Sequence, residues 1–348
     1  MSFMSGRSLD NYEFTFEKYL TDSNRIEADS NEGLSSHHGR MDTLSITESI
    51  AASEERFGRT YHSYRSGSYN YPNDPTEIER LDDQHEIIKL VMDGRNYLAP
   101  FSKEKPPKNI LDIATGTGTW AIEMGDEFPE AKIVGTDLSP IQPQYVPLNV
   151  RFFIEDSTEE WDYPERFDYI HTRVTLGCWS DMKTQIIQKA FDKLEPGGWL
   201  ECQELECLPG CDDGTMTEGH AWLDWAVKLC EASEVTNRQL NMANQIKGWM
   251  EEVGFVDVQE MVFKIPTNGW PKDPRLKYLG LLWQRNVMTG LSGFTLDLFN
   301  RVLGKTMEEI EVYLINVRKS LFNRQVHSYQ RVICVWGRKP DDSEMRVA

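Results

Sequence analysis

The chain has 348 residues, with 37 Lys and Arg against 56 Asp and Glu, a formal net charge of −19. That balance argues against direct binding to a nucleic-acid backbone, which needs basic patches. No run approaches the roughly 18 apolar residues of a membrane-spanning helix.

Nothing at the start reads as a secretory leader, so the six cysteines are expected as reduced thiols. Only Cys202, Cys207 and Cys211 cluster, at spacings that fit no common zinc pattern, and no metal site is expected. Residues 1–50 are rich in Ser, Asp, Glu, Asn and Gly and predict a mobile tail, because little apolar surface offsets the cost of ordering. A short helix is expected from about Ser45 to Arg56.

Residues 51–105 predict a tyrosine-rich helical cap. Tyr61, Tyr64, Tyr69 and Tyr71 precede Asp74-Pro75-Thr76, an N-cap signature. Ile78, Leu81, His85, Ile88 and Met92 then mark one helical face. The tyrosine stretch either packs on the core as a lid or lets Tyr61, His62, Tyr64 and Arg65 line a cleft; the two roles are compatible.

Asn109 to Pro140 is the organising unit. Ile110, Leu111 and Ile113 read as a buried strand. Gly116 and Gly118 give a tight turn, and Trp120, Ala121, Ile122 and Met124 a helix. Ile133 and Val134 start a second strand, which ends at Asp137. Glycines let a backbone approach a ligand closely. The helix start offers free N–H groups. A carboxylate about 20 residues beyond the glycines suits ribose hydroxyls. The unit therefore points to a nucleoside ligand.

Val150 to Glu155 is a third strand, followed by Asp156 and Ser157. Phe167 to Val174 is a fourth, with His171 and Arg173 near its carboxyl end, where open α/β sheets hold ligands. A helix from about Met182 to Leu194 stops at Glu195-Pro196-Gly197-Gly198, and Trp199 to Leu205 is a fifth strand. Residues 208–256 read mainly helical. Phe255 to Ile265 and Val332 to Trp336 give the sixth and seventh strands. Between them an insertion of about 271–323 shows helical periodicity over Leu279–Met288 and Leu296–Leu314. The expected fold is α/β and Rossmann-like: a seven-stranded, mostly parallel sheet with helices on both faces, an N-terminal helical cap, and the catalytic domain over 106–340 with a C-terminal helical insertion.

The order Asp112, Ala114, Gly116, Gly118, then Asp137, resembles the cofactor loop of class I S-adenosylmethionine-dependent methyltransferases, with Ala114 where the family has its first glycine. The stretches YHSYRSGSYNYPNDPTEIERLDDQH, DIATGTGTWAIEMGDEFPEAKIVGTDLSPIQP and LEPGGWLECQELE resemble the LaeA-like methyltransferases of filamentous fungi, over about residues 55–340. The resemblance implies S-adenosyl-L-methionine as cofactor, held by Asp112, Ala114, Thr115, Gly116, Gly118, Asp137, Leu138, Asp156, Ser157 and Arg173, with Asp156 toward the adenine. It implies a small-molecule or protein acceptor, association with velvet-type regulatory proteins, and a place in the nucleus or cytoplasm.

Methyl transfer rests mainly on alignment, so an obligatory base need not exist. His171 and Tyr64 are the first candidates for one, with His327 and Glu204 behind them. Trp120, Trp161 and Trp179 either pack in the core or face a planar substrate. Two other readings stay open. Gly116, Gly118 and Ala121 also fit the loop of an NAD-dependent oxidoreductase. And Ala114 is compatible with a non-catalytic, partner-binding subunit.

Overall fold

The structure is a computed structural model that describes residues 53–345 apart from 66, 68 and 102–104. The expected N-terminal tail lies outside the described residues, as does the expected helix up to residue 52. The rest of that helix is a strand instead: β1 (Ser53–Arg56) pairs antiparallel with β2 (Arg59–His62). The left-handed Phe57 and Gly58 make the two-residue turn between them, a hairpin signal that the helical reading missed. After it, α1 (Pro75–Val91) starts where expected. Asp74 caps it by accepting the Glu77 amide at 3.0 Å.

All seven expected strands are present. They are β3 (Asn109–Ile113), β4 (Lys132–Asp137), β5 (Val150–Ile154), β6 (Phe167–Arg173), β7 (Leu194–Leu205), β9 (Val256–Pro266) and β10 (Ser328–Arg338). A two-residue strand, β8 (Gly210–Cys211), pairs with the start of β10. The order across the sheet is β5-β4-β3-β6-β7-β10-β9. Pairing is parallel from β5 to β7, and β10 runs antiparallel to both β7 and β9.

Helices α2 (Thr119–Glu127), α3 (Gln188–Lys193, led by a π turn at Lys183–Ile187), α4 (Ala221–Val235), α5 (Ile246–Val253), α6 (Pro274–Leu303), α7 (Met307–Leu321) and α8 (Asp342–Met345) complete the described fold. Residues 208–220, expected as helix, hold β8 and turns instead; the glycines at 210, 214 and 219 interrupt that stretch. The insertion divides later than its periodicity implied. It forms one 30-residue helix capped by Asp273 and ended by the left-handed Gly304, then α7 behind a Thr306–Glu309 capping box.

Strand alternation sorts the core. Leu111, Ile113, Ile170 and Leu200 point to one face, under Trp161, Trp179, α3 and α5. Ile110 and Tyr169 point to the other, under Trp120, Ala121 and Met124 of α2. Asp112 and His171 follow the second set by the same alternation, and they sit side by side in the β3–β6 ladder. A third core gathers α1, α4, α6 and α7 beside the sheet around Trp222, Trp225 and Trp283.

Candidate active site

The sheet order reverses between β3 and β6, and a cleft opens at the carboxyl ends of β3, β4, β5 and β6, where such a switch point leaves a crevice. It holds about 940 Å³ of non-protein space, its open mouth included. Each strand end contributes a segment: Ala114 and Gly116 after β3, Asp137, Leu138 and Ser139 after β4, Asp156 and Ser157 after β5, Val174 and Thr175 after β6.

The turn after β3 is left-handed at every second residue, with φ of 56° at Ala114, 59° at Gly116 and 80° at Gly118. Glycine adopts that conformation freely, whereas alanine is strained in it. The missing first glycine therefore leaves the shape of the loop intact at an energetic cost. Gly118 also admits the Phe152 ring, which a Cβ there would overlap.

Asp137 accepts the Gly116 amide and the Ser139 amide, both at 2.9 Å. Burial pushes its carboxyl up to about 6, against the pull of those two bonds. Asp156 accepts Thr158 N at 2.9 Å and Thr158 Oγ1 at 2.6 Å, and its second oxygen lies 3.6 Å from Arg65 of the tyrosine stretch. Ser157 accepts the Trp179 indole N–H at 2.9 Å through its hydroxyl and the Trp161 indole N–H at 2.8 Å through its carbonyl.

Around the glycine loop the cleft meets a second recess, lined by Asp112, Thr115, His171, Arg173 and Gln84; Ala114 and Gly116 border both. Asp112 accepts Thr115 Oγ1 at 2.5 Å and takes His171 Nδ1 at 2.7 Å. Arg173 donates to Gln203 Oε1 at 2.7 Å and to the Asn96 carbonyl at 2.9 Å, and it meets His85 Nδ1 at 2.9 Å. Among the described residues no carboxylate pairs with it. A guanidinium set among neutral partners is open to an anion.

The structure brings together the expected cofactor set: Asp112, Ala114, Thr115, Gly116, Asp137, Leu138, Asp156, Ser157 and Arg173 all line one or other recess. Gly118 shapes the loop from behind. The proposed bases fare differently. Tyr64 lines neither recess; it lies beside Arg65, and its carbonyl meets His62 Nδ1 at 2.7 Å. The tyrosine on the cleft is Tyr69, five residues on. The cluster was visible in the sequence, but not which ring turns inward; His62 meets the carbonyls of both Tyr64 and Tyr69.

His171 is fully buried, and Trp120 stacks on it at 3.7 Å and 7°. Burial lowers its basicity, and the ring proton facing Asp112 is committed there. His327 lines neither recess and binds Asp213 at 2.5 Å. Glu204 is buried behind Thr175, accepting its amide and hydroxyl at 2.7 Å, and burial pushes its carboxyl up to about 7. Trp120, Trp161 and Trp179 are all packed in the core, and Trp179 also borders the cleft.

Sequence reading missed the contributions of Asn73, Glu77 and Leu81, at the start of α1, and of Cys178 and Arg238, which come from loops with no motif of their own. One further cluster, His85, Glu86 and Glu123, brings ligand atoms within 4.8 Å of one another. Lys89 binds Glu123 at 2.7 Å and Arg173 meets His85 Nδ1 at 2.9 Å, so protein cations already contact two of the three residues.

A family profile described as a methyltransferase domain matches residues 84–260. The methyltransferase pytC of Aspergillus terreus is 38% identical over 322 residues, 91% of this chain and 97% of that protein. The secondary metabolism regulator LAE1 of Cochliobolus heterostrophus is 33% identical over 288 residues, 81% of this chain and 94% of its own. The secondary metabolism regulator laeA of Aspergillus fumigatus is 33% identical over 291 residues, 81% and 76% respectively. With the loop, the switch-point cleft and these relatives in agreement, the chain belongs to the LaeA-like fungal methyltransferases, an S-adenosylmethionine-dependent family of the class I fold.

Proposed function

We propose that S-adenosyl-L-methionine lies along the cleft from Asp156 to Arg173 and that the chain transfers its methyl group to a small-molecule acceptor in fungal secondary metabolism. The observation that carries this is the charge pattern. A carboxylate, Asp137, faces the middle of the cleft, and a guanidinium without a carboxylate partner, Arg173, faces its far recess. Those are the partners for a ribose diol and an amino-acid carboxylate. Asp156, Ser157 and Leu138 would flank the adenine, with Ala114, Thr115, Gly116 and Asp112 beneath the chain that joins the two ends.

The sulfonium supplies an electrophilic methyl group with a neutral leaving group. The chain's own task is to align an acceptor and exclude water, which is worth roughly 7–11 kcal/mol in well-oriented reactions. Arg65 reaches Asp156 and Glu159 and so ties the tyrosine stretch to the segment after β5 that borders the cleft. Titration of the full chain with S-adenosyl-L-methionine tests the first step. Binding that survives Asp137→Ala and Arg173→Ala together defeats the assignment. The family assignment itself removes the NAD-dependent alternative.

A second reading follows from LAE1 and laeA, which are regulators. In it the chain acts in a complex with velvet-type proteins, in the nucleus, on a protein acceptor or on none. Labelled-methyl transfer into an extract of a deletion strain separates the two. Label in small molecules supports the first reading. Label in protein, or no label beside a stoichiometric protein partner, supports the second.

A further inference from the structure

Beyond Tyr69 and Val174 the cleft adjoins a second chamber, of about 630 Å³ of non-protein space with its open mouth included. Its walls come from elements that stand beside the sheet: Trp222 and Trp225 of α4, and Trp283, Val287 and Phe294 of α6. We propose that this chamber holds the methyl acceptor, and that the acceptor is an uncharged, largely apolar, flat small molecule with an oxygen to offer as hydrogen-bond acceptor. The inference rests on the cofactor reading of the neighbouring cleft and deepens it.

Four observations support it. First, Trp222 and Trp225 stack with each other at 4.7 Å and 13°, and Tyr69, Tyr71 and Phe294 form an edge-to-face chain with steps of 5.0 and 5.3 Å. Aromatic walls of this kind suit a planar guest.

Second, the polar ends of two tryptophans are tied elsewhere. Trp225 donates to Thr295 Oγ1 at 3.0 Å and Trp283 to Gln330 Oε1 at 2.9 Å. Trp222 alone of the three keeps its indole N–H buried and, among the described residues, without a partner. A buried donor left unpaired is costly, and because Trp222 lines the chamber, a guest oxygen that reaches its N–H would supply the partner.

Third, among the described residues the lining holds no Asp, Glu or Lys. Its one charged group, Arg80, is already neutralised by Glu77 at 2.7 and 2.9 Å, and its remaining bonds go to Gln84 at 2.8 Å and Asn286 at 2.9 Å. An ammonium group, such as a lysine side chain, would find no counter-charge there and would pay its desolvation in full.

Fourth, Tyr69 and Val174 line both spaces. A guest in the chamber therefore borders the cleft without crossing the core.

The test uses the full chain and Prodan, an uncharged, planar naphthyl ketone whose emission shifts to the blue in apolar surroundings. The expected result is one Prodan per chain with blue-shifted emission. It is displaced by 2-acetylnaphthalene but not by N-acetyl-lysine amide at the same concentration. Val287→Trp fills the chamber from α6 and should weaken Prodan more than about tenfold, while calorimetric binding of S-adenosylhomocysteine is unchanged. Leu229→Trp, from α4, repeats the test should the first variant fold poorly by circular dichroism.

Unchanged Prodan affinity in a folded, filled variant overturns the proposal, as does equal displacement by N-acetyl-lysine amide. The two readings fail separately. A folded chain that binds Prodan but gives no heat with S-adenosylhomocysteine refutes the cofactor assignment. One that binds S-adenosylhomocysteine but not Prodan refutes the chamber.

Discussion

Asp137 Oδ2 accepts the amide of Gly116 at 2.9 Å, joining the end of β4 to the turn after β3. The carboxylate expected to grip a ribose is thus also the clamp that sets the loop. Its other oxygen takes the Ser139 amide, so each oxygen keeps one lone pair for a ligand. Loop shape and ligand grip share one charge.

That sharing makes binding pH-dependent. The carboxyl titrates near 6 in the fold, raised by burial from 3.8. The ionised form accepts the hydroxyls, so S-adenosylhomocysteine affinity should be full above pH 7 and fall by up to about tenfold per unit below 6. For stability the sign is opposite. The folded state holds this proton more tightly, so this group's contribution falls as pH rises from about 4 to 6. Asp137→Asn sets a donor against one of the two amides and should weaken binding by about 30- to 100-fold. Calorimetry from pH 5 to 8 checks both; a flat profile in the wild type refutes the role.

Ala114 offers a second measurement. With φ at 56° it costs roughly 1–2 kcal/mol over a relaxed conformation. Ala114→Gly removes that cost but loosens the unfolded chain. The net expectation is a gain of about 0.5–1 kcal/mol in urea unfolding. A loss of stability would mean that the methyl group packs usefully, and the strain argument would fail.

Most of the sheet was legible because its strands are short apolar runs between Gly, Pro and Asp, and the central ones are buried on both faces. The cofactor loop was legible because glycine spacing and a distant carboxylate are local signals. The hairpin at Ser53–His62 was not, since its strands are half-exposed and carry no apolar alternation. Tyr69 was not separable from Tyr64, because both sit in one cluster and which ring faces inward depends on contacts that no local motif records, such as that of Tyr69 with Tyr71. The aromatic chamber was invisible for a different reason. Its walls are contributed by segments within 69–84, 174–176, 205–229 and 283–294 and by Gln330, and no local pattern records that α4 and α6 meet there.

Gly118 tests how tightly the loop is packed. A Cβ at this position overlaps the Phe152 ring, and φ is 80°. Gly118→Ala should cost about 2–4 kcal/mol, from overpacking and backbone strain together. Phe152→Leu in the same chain relieves only the overlap. The double variant should therefore recover about half of the loss, read as a coupling energy from urea unfolding of the four proteins. Strict additivity would show that ring and loop do not meet.

His171 is the remaining question of chemistry. Its neutral ring lies between Trp120 and the β3–β6 ladder, and the Asp112 that holds it also holds Thr115 of the loop. This arrangement transmits the loop's position to the sheet, and the ring, fully buried although it borders the second recess, is held against Trp120. His171→Gln should therefore lower the melting temperature and weaken S-adenosylhomocysteine binding. Methyl transfer into extract at saturating cofactor, scaled to folded protein, should drop by less than about tenfold. Loss of a general base costs about 10²–10⁴-fold. A drop of that size with cofactor affinity intact would return His171 to the catalytic role and place its Nε2 in contact with the acceptor.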